Sequence, residues 1–113
     1  MKTQYKFGDI ILIKFPFSDQ LNQKKRPALV ISDSGDEDIL VARITSHPPQ
    51  STIYDVELID WQQEGLAFNS VVKLNKLASI EKSLIDKELG KLSPADYKIV
   101  KEKFISFINS SLG

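Results

Sequence analysis

The chain has no cysteine and only one histidine and one tryptophan among its 113 residues. Without cysteine, neither a disulfide framework nor thiolate chemistry is open to it, which suits a reducing cytoplasm. It also lacks any long apolar run. The opening Met-Lys-Thr-Gln-Tyr-Lys-Phe-Gly-Asp has no uninterrupted apolar stretch of the kind a secretory signal carries, and no later stretch approaches the roughly 20 residues that cross a bilayer. The expectation is a soluble cytoplasmic protein with no membrane partner. An excess of positive charge is missing too: fifteen Lys and Arg balance fifteen Asp and Glu. Proteins that coat polyanions without selectivity are usually far more basic, so any affinity for nucleic acid has to come from a local cluster. Metal-ligand spacing is absent as well. The acidic run Asp33-Ser34-Gly35-Asp36-Glu37-Asp38 supplies what a hairpin turn requires and does not match a calcium loop, so no metal or cofactor is expected. With no repeat, low-complexity tract or composition break, the chain reads as one domain over residues 1–113.

What is present is a series of short strands. Gly8 to Ser32 organises the rest: Ile10 to Phe15 and Ala28 to Ile31 are nearly continuous apolar runs, separated by a long polar and basic loop and punctuated by Pro16 and Pro27. Such runs fit buried strands of a hairpin. Arg26 falls at the far edge of that loop, immediately before a proline that fixes the local backbone. Ile39 to Thr45 reads as a third strand that ends before His47-Pro48-Pro49, because consecutive prolines cannot donate to a ladder. Thr45, Ser46 and His47 therefore lie at a strand end, where side chains face an opening. Ile53 to Ile59 alternates through Tyr54, Val56 and Leu58; Ser70 to Leu74 and Lys76 to Ile80 are strand-like, and Ile85 to Gly90 reads as a turn. Trp61, before a polar turn, reads as the lid of a small core, with base stacking as the alternative.

One helix closes the chain. Ser93-Pro94-Ala95-Asp96 offers a capping serine, proline at the first helical position and an acid three residues after the cap. Tyr97, Val100, Phe104, Phe107 and Ile108 then recur at spacings of three and four and form a stripe that packs on the sheet. Six or seven short strands and a terminal helix give a mainly β (α+β) fold, a small and strongly curved antiparallel barrel.

Gly8-Asp9 before an apolar strand, the exit Phe15-Pro16-Phe17-Ser18-Asp19, and the closing Lys25-Arg26-Pro27-Ala28-Leu29-Val30-Ile31-Ser32 together resemble the opening of MazF/PemK toxins, the sequence-selective endoribonucleases of toxin–antitoxin pairs. The resemblance continues through Leu40-Val41-Ala42-Arg43-Ile44-Thr45-Ser46, Gly65-Leu66, Ser70-Val71-Val72-Lys73-Leu74 and the capped helix, in family order. It implies the SH3-like barrel shared by MazF/PemK and CcdB toxins, a homodimer, single-stranded RNA as substrate and a cognate antitoxin as partner. A CcdB-type gyrase poison ends in Trp-Gly-Ile, whereas this chain ends in Asn-Ser-Ser-Leu-Gly; a catalytically silent binding barrel is the other alternative.

RNA carries its own nucleophile, the 2′-hydroxyl, so a protein can cleave it without a metal by moving protons and stabilising a phosphorane-like transition state. An arginine fork matches phosphoryl oxygens for the second task. By resemblance, the catalytic arginine is Arg26 and the catalytic threonine Thr45. A guanidinium scarcely deprotonates, so Arg26 is assigned to phosphate stabilisation. His47 is the candidate base because histidine titrates near neutrality, though the family does not require a histidine there, and an exposed loop histidine with no role is the alternative. Phe17, Ser18, Lys24, Lys25, Arg43, Ser46, Lys73 and Lys76 are the candidate RNA contacts, against the alternative that the cations are ordinary solvated side chains. Two departures stand out: Lys24-Lys25 where many members are glycine-rich, and Asn75, Lys76 and Ala78 where some carry acidic, amide and basic residues.

Overall fold

The computed structural model describes residues 4–15, 24–46 and 52–113, with the Phe15 side chain excepted. Among the described residues there are six strands and one long helix: β1 (Asp9–Phe15), β2 (Lys24–Ser32), β3 (Asp38–Thr45), β4 (Asp55–Glu57), β5 (Val71–Glu81), β6 (Ile85–Lys91) and α1 (Pro94–Leu112), with a single 3-10 turn at Lys82–Leu84. All pairings are antiparallel, and the strands lie in the order β4-β5-β3-β2-β1-β6. The fold is thus mainly β with a C-terminal helix, as expected. The sheet is an open row with β4 and β6 at its edges, and hydrogen bonding among the described residues does not close it into a barrel.

Both faces of the sheet are buried over the central strands. On β3, Leu40, Ala42 and Ile44 join a core with Ile10, Leu29, Val72 and Leu74, which lies beneath Val100 and Phe104 of α1. Ile39 and Val41 alternate to the opposite face, where they meet Ile11, Ile13, Ala28 and Val30. This two-faced burial explains why β1 and β2 read as continuous apolar runs, since a half-exposed strand would alternate with polar residues.

The helix begins as its sequence requires. Ser93 Oγ accepts the Asp96 N–H at 3.2 Å, and Pro94 takes the first turn. Val100 is fully buried; Tyr97 packs edge-on against Phe7 with centroids 5.4 Å apart, and Phe107 against Tyr54 at 5.1 Å. Trp61 packs on the same core, as a lid would.

Three local readings need correction. Arg26 and Pro27 lie inside β2, not at the edge of a loop. Proline is tolerated there because the β2–β3 pairing starts only at Ala28. The stretch from Val71 to Glu81 is one strand, and Ile85 to Lys91 is the edge strand β6, not a turn. Two bulges against β1 skip Asp86 and Leu89 and break the alternation of β6, so its periodicity is invisible in sequence. Gly65 and Gly90 make the segment after Trp61 dock tightly on that edge: a Cβ on Gly65, whose φ is +89°, would strike the Leu89 carbonyl, and one on Gly90 the Glu64 carbonyl.

Candidate functional site

The face of the sheet away from α1 carries the candidate site, and its geometry follows from register. β2 and β3 pair through Ala28↔Arg43, Leu29↔Ala42 and Val30↔Val41. Continued by two residues, the same register sets Arg26 level with Thr45, and alternation turns both side chains to the face that holds Ala28 and Val41. Arg26 is exposed and Thr45 half-buried at the last position of β3.

The third wall is a distortion in β5. Ala42 pairs with Leu77 but Arg43 pairs with Lys73, so Leu74, Asn75 and Lys76 have no opposite number on β3. A bulge of this kind bends a strand and re-aims its side chains. Leu74 turns into the core beneath α1, while Asn75 and Lys76 join Arg26 and Arg43 around a cleft of about 510 Å³ floored by Ile13, Ala28 and Val41. Among the described residues, the Asn75 Oδ1 is buried with no hydrogen-bond partner. Buried polar atoms are seldom left so, and an amide at a cleft wall is equipped to read a base edge.

The cleft therefore brings together Arg26, Arg43 and Lys76; Thr45 is not part of its lining but ends β3 two residues after Arg43, with exposed Ser46 just beyond. Lys24, exposed and two residues from Arg26, shares its face by alternation. Lys25 falls on the opposite face and reaches Asp86 at 3.3 Å, which also takes Lys14 at 3.8 Å. Lys73 is engaged with Asp55 of β4 at 2.9 Å. Phe17, Ser18 and His47 lie outside the described residues. Among the described residues, no three His, Asp or Glu side chains form a metal-binding group, and no helix is long and apolar enough to cross a membrane.

Sequence reasoning did not single out Asp55, nor assign Asn75 a contact. The only signal for Asn75 was one amide interrupting an otherwise apolar and basic run; Asp55 had none, because its partner is eighteen residues away.

A larger depression of about 940 Å³, near Tyr5, Glu37, Glu81 and Glu88, is bordered by more carboxylates than cations and has the wrong polarity for a polyanion. The perturbed carboxyls also lie away from the cleft. Burial pushes Glu64 up to about 7, against the bond its carboxylate accepts from Ser93 N–H, and the adjoining Asp96 carboxyl adds to the rise. Burial works the same way on Asp33, but hydrogen bonds from Lys82 and from the Tyr5 and Gly35 amides outweigh it and hold the group below its usual range.

Residues 6–108 match the family model of the PemK-like, MazF-like toxin of type II toxin–antitoxin systems. No curated protein is significantly similar by sequence. Among solved structures, a mycobacterial endoribonuclease in complex with its cognate antitoxin has a TM-score of 0.74 at 14% identity, covering 94% of this chain and 96% of that one. Toxin MazF-mt6 of Mycobacterium tuberculosis has a TM-score of 0.70 at 19% identity, covering 89% and 96%. MazF from a MazE–MazF structure of Deinococcus radiodurans has 0.71 at 19%, covering 93% and 96%. At these identities the structural likeness is one of fold.

Proposed function

Since the chain belongs to the PemK-like, MazF-like toxins of type II toxin–antitoxin systems, we propose that it is an endoribonuclease that cleaves single-stranded messenger RNA by 2′-hydroxyl attack and so stops translation. The observation that carries this reading is the cleft itself, which gathers Arg26, Arg43, Asn75 and Lys76; the β2–β3 register, extended two residues beyond its last pair at Ala28↔Arg43, supports Thr45 as the neighbour of Arg26 on that face. A phosphodiester lying across β2 and β3 meets the guanidinium from one side and the hydroxyl from the other. As the 2′-oxygen gives up its proton and adds to phosphorus, negative charge grows on the non-bridging oxygens; the P–O5′ bond then breaks and the leaving 5′-oxygen takes up a proton, so that no net proton is gained or lost. The arginine fork binds that charge more strongly than it binds the ground state, which is what lowers a barrier. Thr45 Oγ–H donates a further bond to the same oxygens. Asn75, whose buried oxygen has no partner among the described residues, is assigned to base selection.

The protein is proposed to act as a single cytoplasmic domain and as a homodimer, which widens the surface available to a single strand; light scattering at micromolar concentration tests the dimer, and a monomer that cleaves RNA refutes it. An antitoxin is the proposed protein partner, in keeping with the complexes of the similar proteins. The decisive experiment incubates RNA with purified protein in EDTA and maps the fragment ends. Cleavage should persist and leave 5′-hydroxyl and cyclic phosphate termini, and a substrate with one 2′-deoxy sugar at the cut should be inert. A strict magnesium requirement, or cutting of the deoxy substrate, refutes the mechanism.

A further inference from the structure

At the edge of the cleft two cations stand directly opposite one another, Arg43 on β3 and Lys73 on β5. Like charges in that relation destabilise a sheet. The row continues to Asp55 on β4, which pairs with Lys73, and directly opposed residues share one face. The Asp55 side chain is fully withdrawn from solvent and that of Lys73 only 14% exposed, with Nζ and Oδ2 2.9 Å apart. The other carboxylate oxygen accepts the Thr52 hydroxyl at 3.2 Å, and that hydroxyl accepts the Tyr54 N–H at 3.1 Å. The carboxylate is therefore braced by its own turn as well as by the lysine.

Burying this pair is not a route to stability. Taking two charges out of water costs about what their attraction returns, and an apolar pair of the same volume serves a core as well or better. What the pair does achieve is positional. Asp55 fixes the Lys73 ammonium within the row and offsets one of two adjacent positive charges so that Arg43 and Lys73 can coexist. An ammonium carries three donors, so engagement with Asp55 is compatible with engagement of an anion. Arg43 borders the cleft that holds Arg26 and lies two residues before Thr45, about 6.7 Å along the strand. That step is comparable to one nucleotide of an extended strand.

We propose that Arg43 and Lys73 form a second phosphate subsite, which takes the backbone phosphate next to the scissile one, and that Asp55 is the positioning residue that sets Lys73 there. The inference rests on the reading of Arg26 and Thr45 as the cleavage centre. It adds a register device: with one phosphate at the cleavage centre and its neighbour at the Arg43–Lys73 row, the strand cannot slide by a fraction of a nucleotide.

The test measures binding of an oligoribonucleotide with a 2′-deoxy sugar at the cut site, for the parent, Lys73→Met and Asp55→Asn, across a salt series. Lys73→Met should weaken binding about fivefold and flatten the plot of log K against log salt by about 0.7, the signature of one fewer phosphate neutralised along a single strand. Asp55→Asn is the sharper arm. Simple electrostatics expects removal of a negative charge to tighten binding to a polyanion, whereas loss of positioning weakens it; the expected result is weaker binding, with little added by combining the two substitutions. If Asp55→Asn does not fold, a methylphosphonate scan of Lys73→Met replaces it. Neutralising the flanking phosphate should weaken the parent and leave Lys73→Met unaffected. Unchanged affinity and salt slope in Lys73→Met, or equal sensitivity of parent and Lys73→Met to that linkage, overturns the subsite. Tighter binding by Asp55→Asn overturns the positioning role. A parent that fails to cut the all-ribose oligonucleotide overturns instead the reading of Arg26 and Thr45, through a separate readout.

Discussion

Arg26 and its two lysine neighbours test the site at single-residue scale. If Arg26 meets charge that exists only in the transition state, Arg26→Ala should lower single-turnover cleavage by about a hundredfold to a thousandfold, as loss of an oxyanion donor does, and alter RNA affinity far less. Arg26→Lys keeps the charge but loses the planar fork, and should recover little of that rate. Near-parental cleavage by Arg26→Lys reduces Arg26 to a point charge; near-parental cleavage by Arg26→Ala removes it from the active centre. Lys24 and Lys25 look equivalent in sequence, but the pleat separates them: Lys24 shares the face of Arg26, while Lys25 turns to Asp86. Lys24→Ala should therefore weaken RNA binding and lower its salt dependence. Lys25→Ala should change both less, because its exposed ion pair contributes little.

Among the elements, the edge strand β6 and the helix start behave as one unit. Glu64 reaches from the segment after Trp61 to accept the Ser93 N–H at 2.8 Å. Asp96, in the first turn of α1, returns to accept the N–H groups of Ile59 and Asp60 at 3.2 and 3.0 Å. Both carboxyl groups are fully buried. Gly90 makes the approach possible, since a side chain there would collide with the Glu64 carbonyl. Gly90→Ala should thus destabilise the protein by about 2 kcal/mol or more, as overpacking against backbone does. Urea unfolding measures it, and an unchanged midpoint would show that β6 docks more loosely than this.

For the whole molecule, the buried Glu64–Asp96 pair makes stability depend on pH in a direction unusual for a carboxyl. Glu64 titrates near 7 when folded, against an ordinary value of 4.5, so between those values the native state holds a proton that the unfolded chain releases. Stability from this group is full below about pH 4.5, falls as pH rises toward 7, and is lost above it, by a sum on the order of 3 kcal/mol. Glu64→Gln, which stays neutral, should flatten the profile and match or exceed the parent at pH 8.5. Urea midpoints at pH 5.5 and 8.5 decide this, and a parent equally stable at both refutes it. The balanced formal charge of the chain adds the expectation that RNA affinity arises from the cleft alone.

The amino-acid sequence by itself determined what depends on near neighbours. Ser93 and Pro94 start a helix because capping and a fixed φ act within one turn, and the β-branched runs of β1, β2 and β3 are strands because side-chain shape biases the local backbone. It also carried the motifs that place the chain among the toxins. Tertiary structure alone decided what depends on partners far along the chain. Nothing local sets Ala28 opposite Arg43, and so turns Arg26 and Arg43 to one cleft; the β2–β3 register does. Nothing local marks Leu74, Asn75 and Lys76 as a bulge, because a bulge is defined only against the strand it fails to match. Asp55 is indistinguishable from any turn aspartate until Lys73 is seen 2.9 Å away. Asp96, an acid that composition would place in water, is buried where the folded chain brings it the Ile59 and Asp60 amides, whereas Glu64 takes only the Ser93 amide and its remaining desolvation cost appears as its raised pKa.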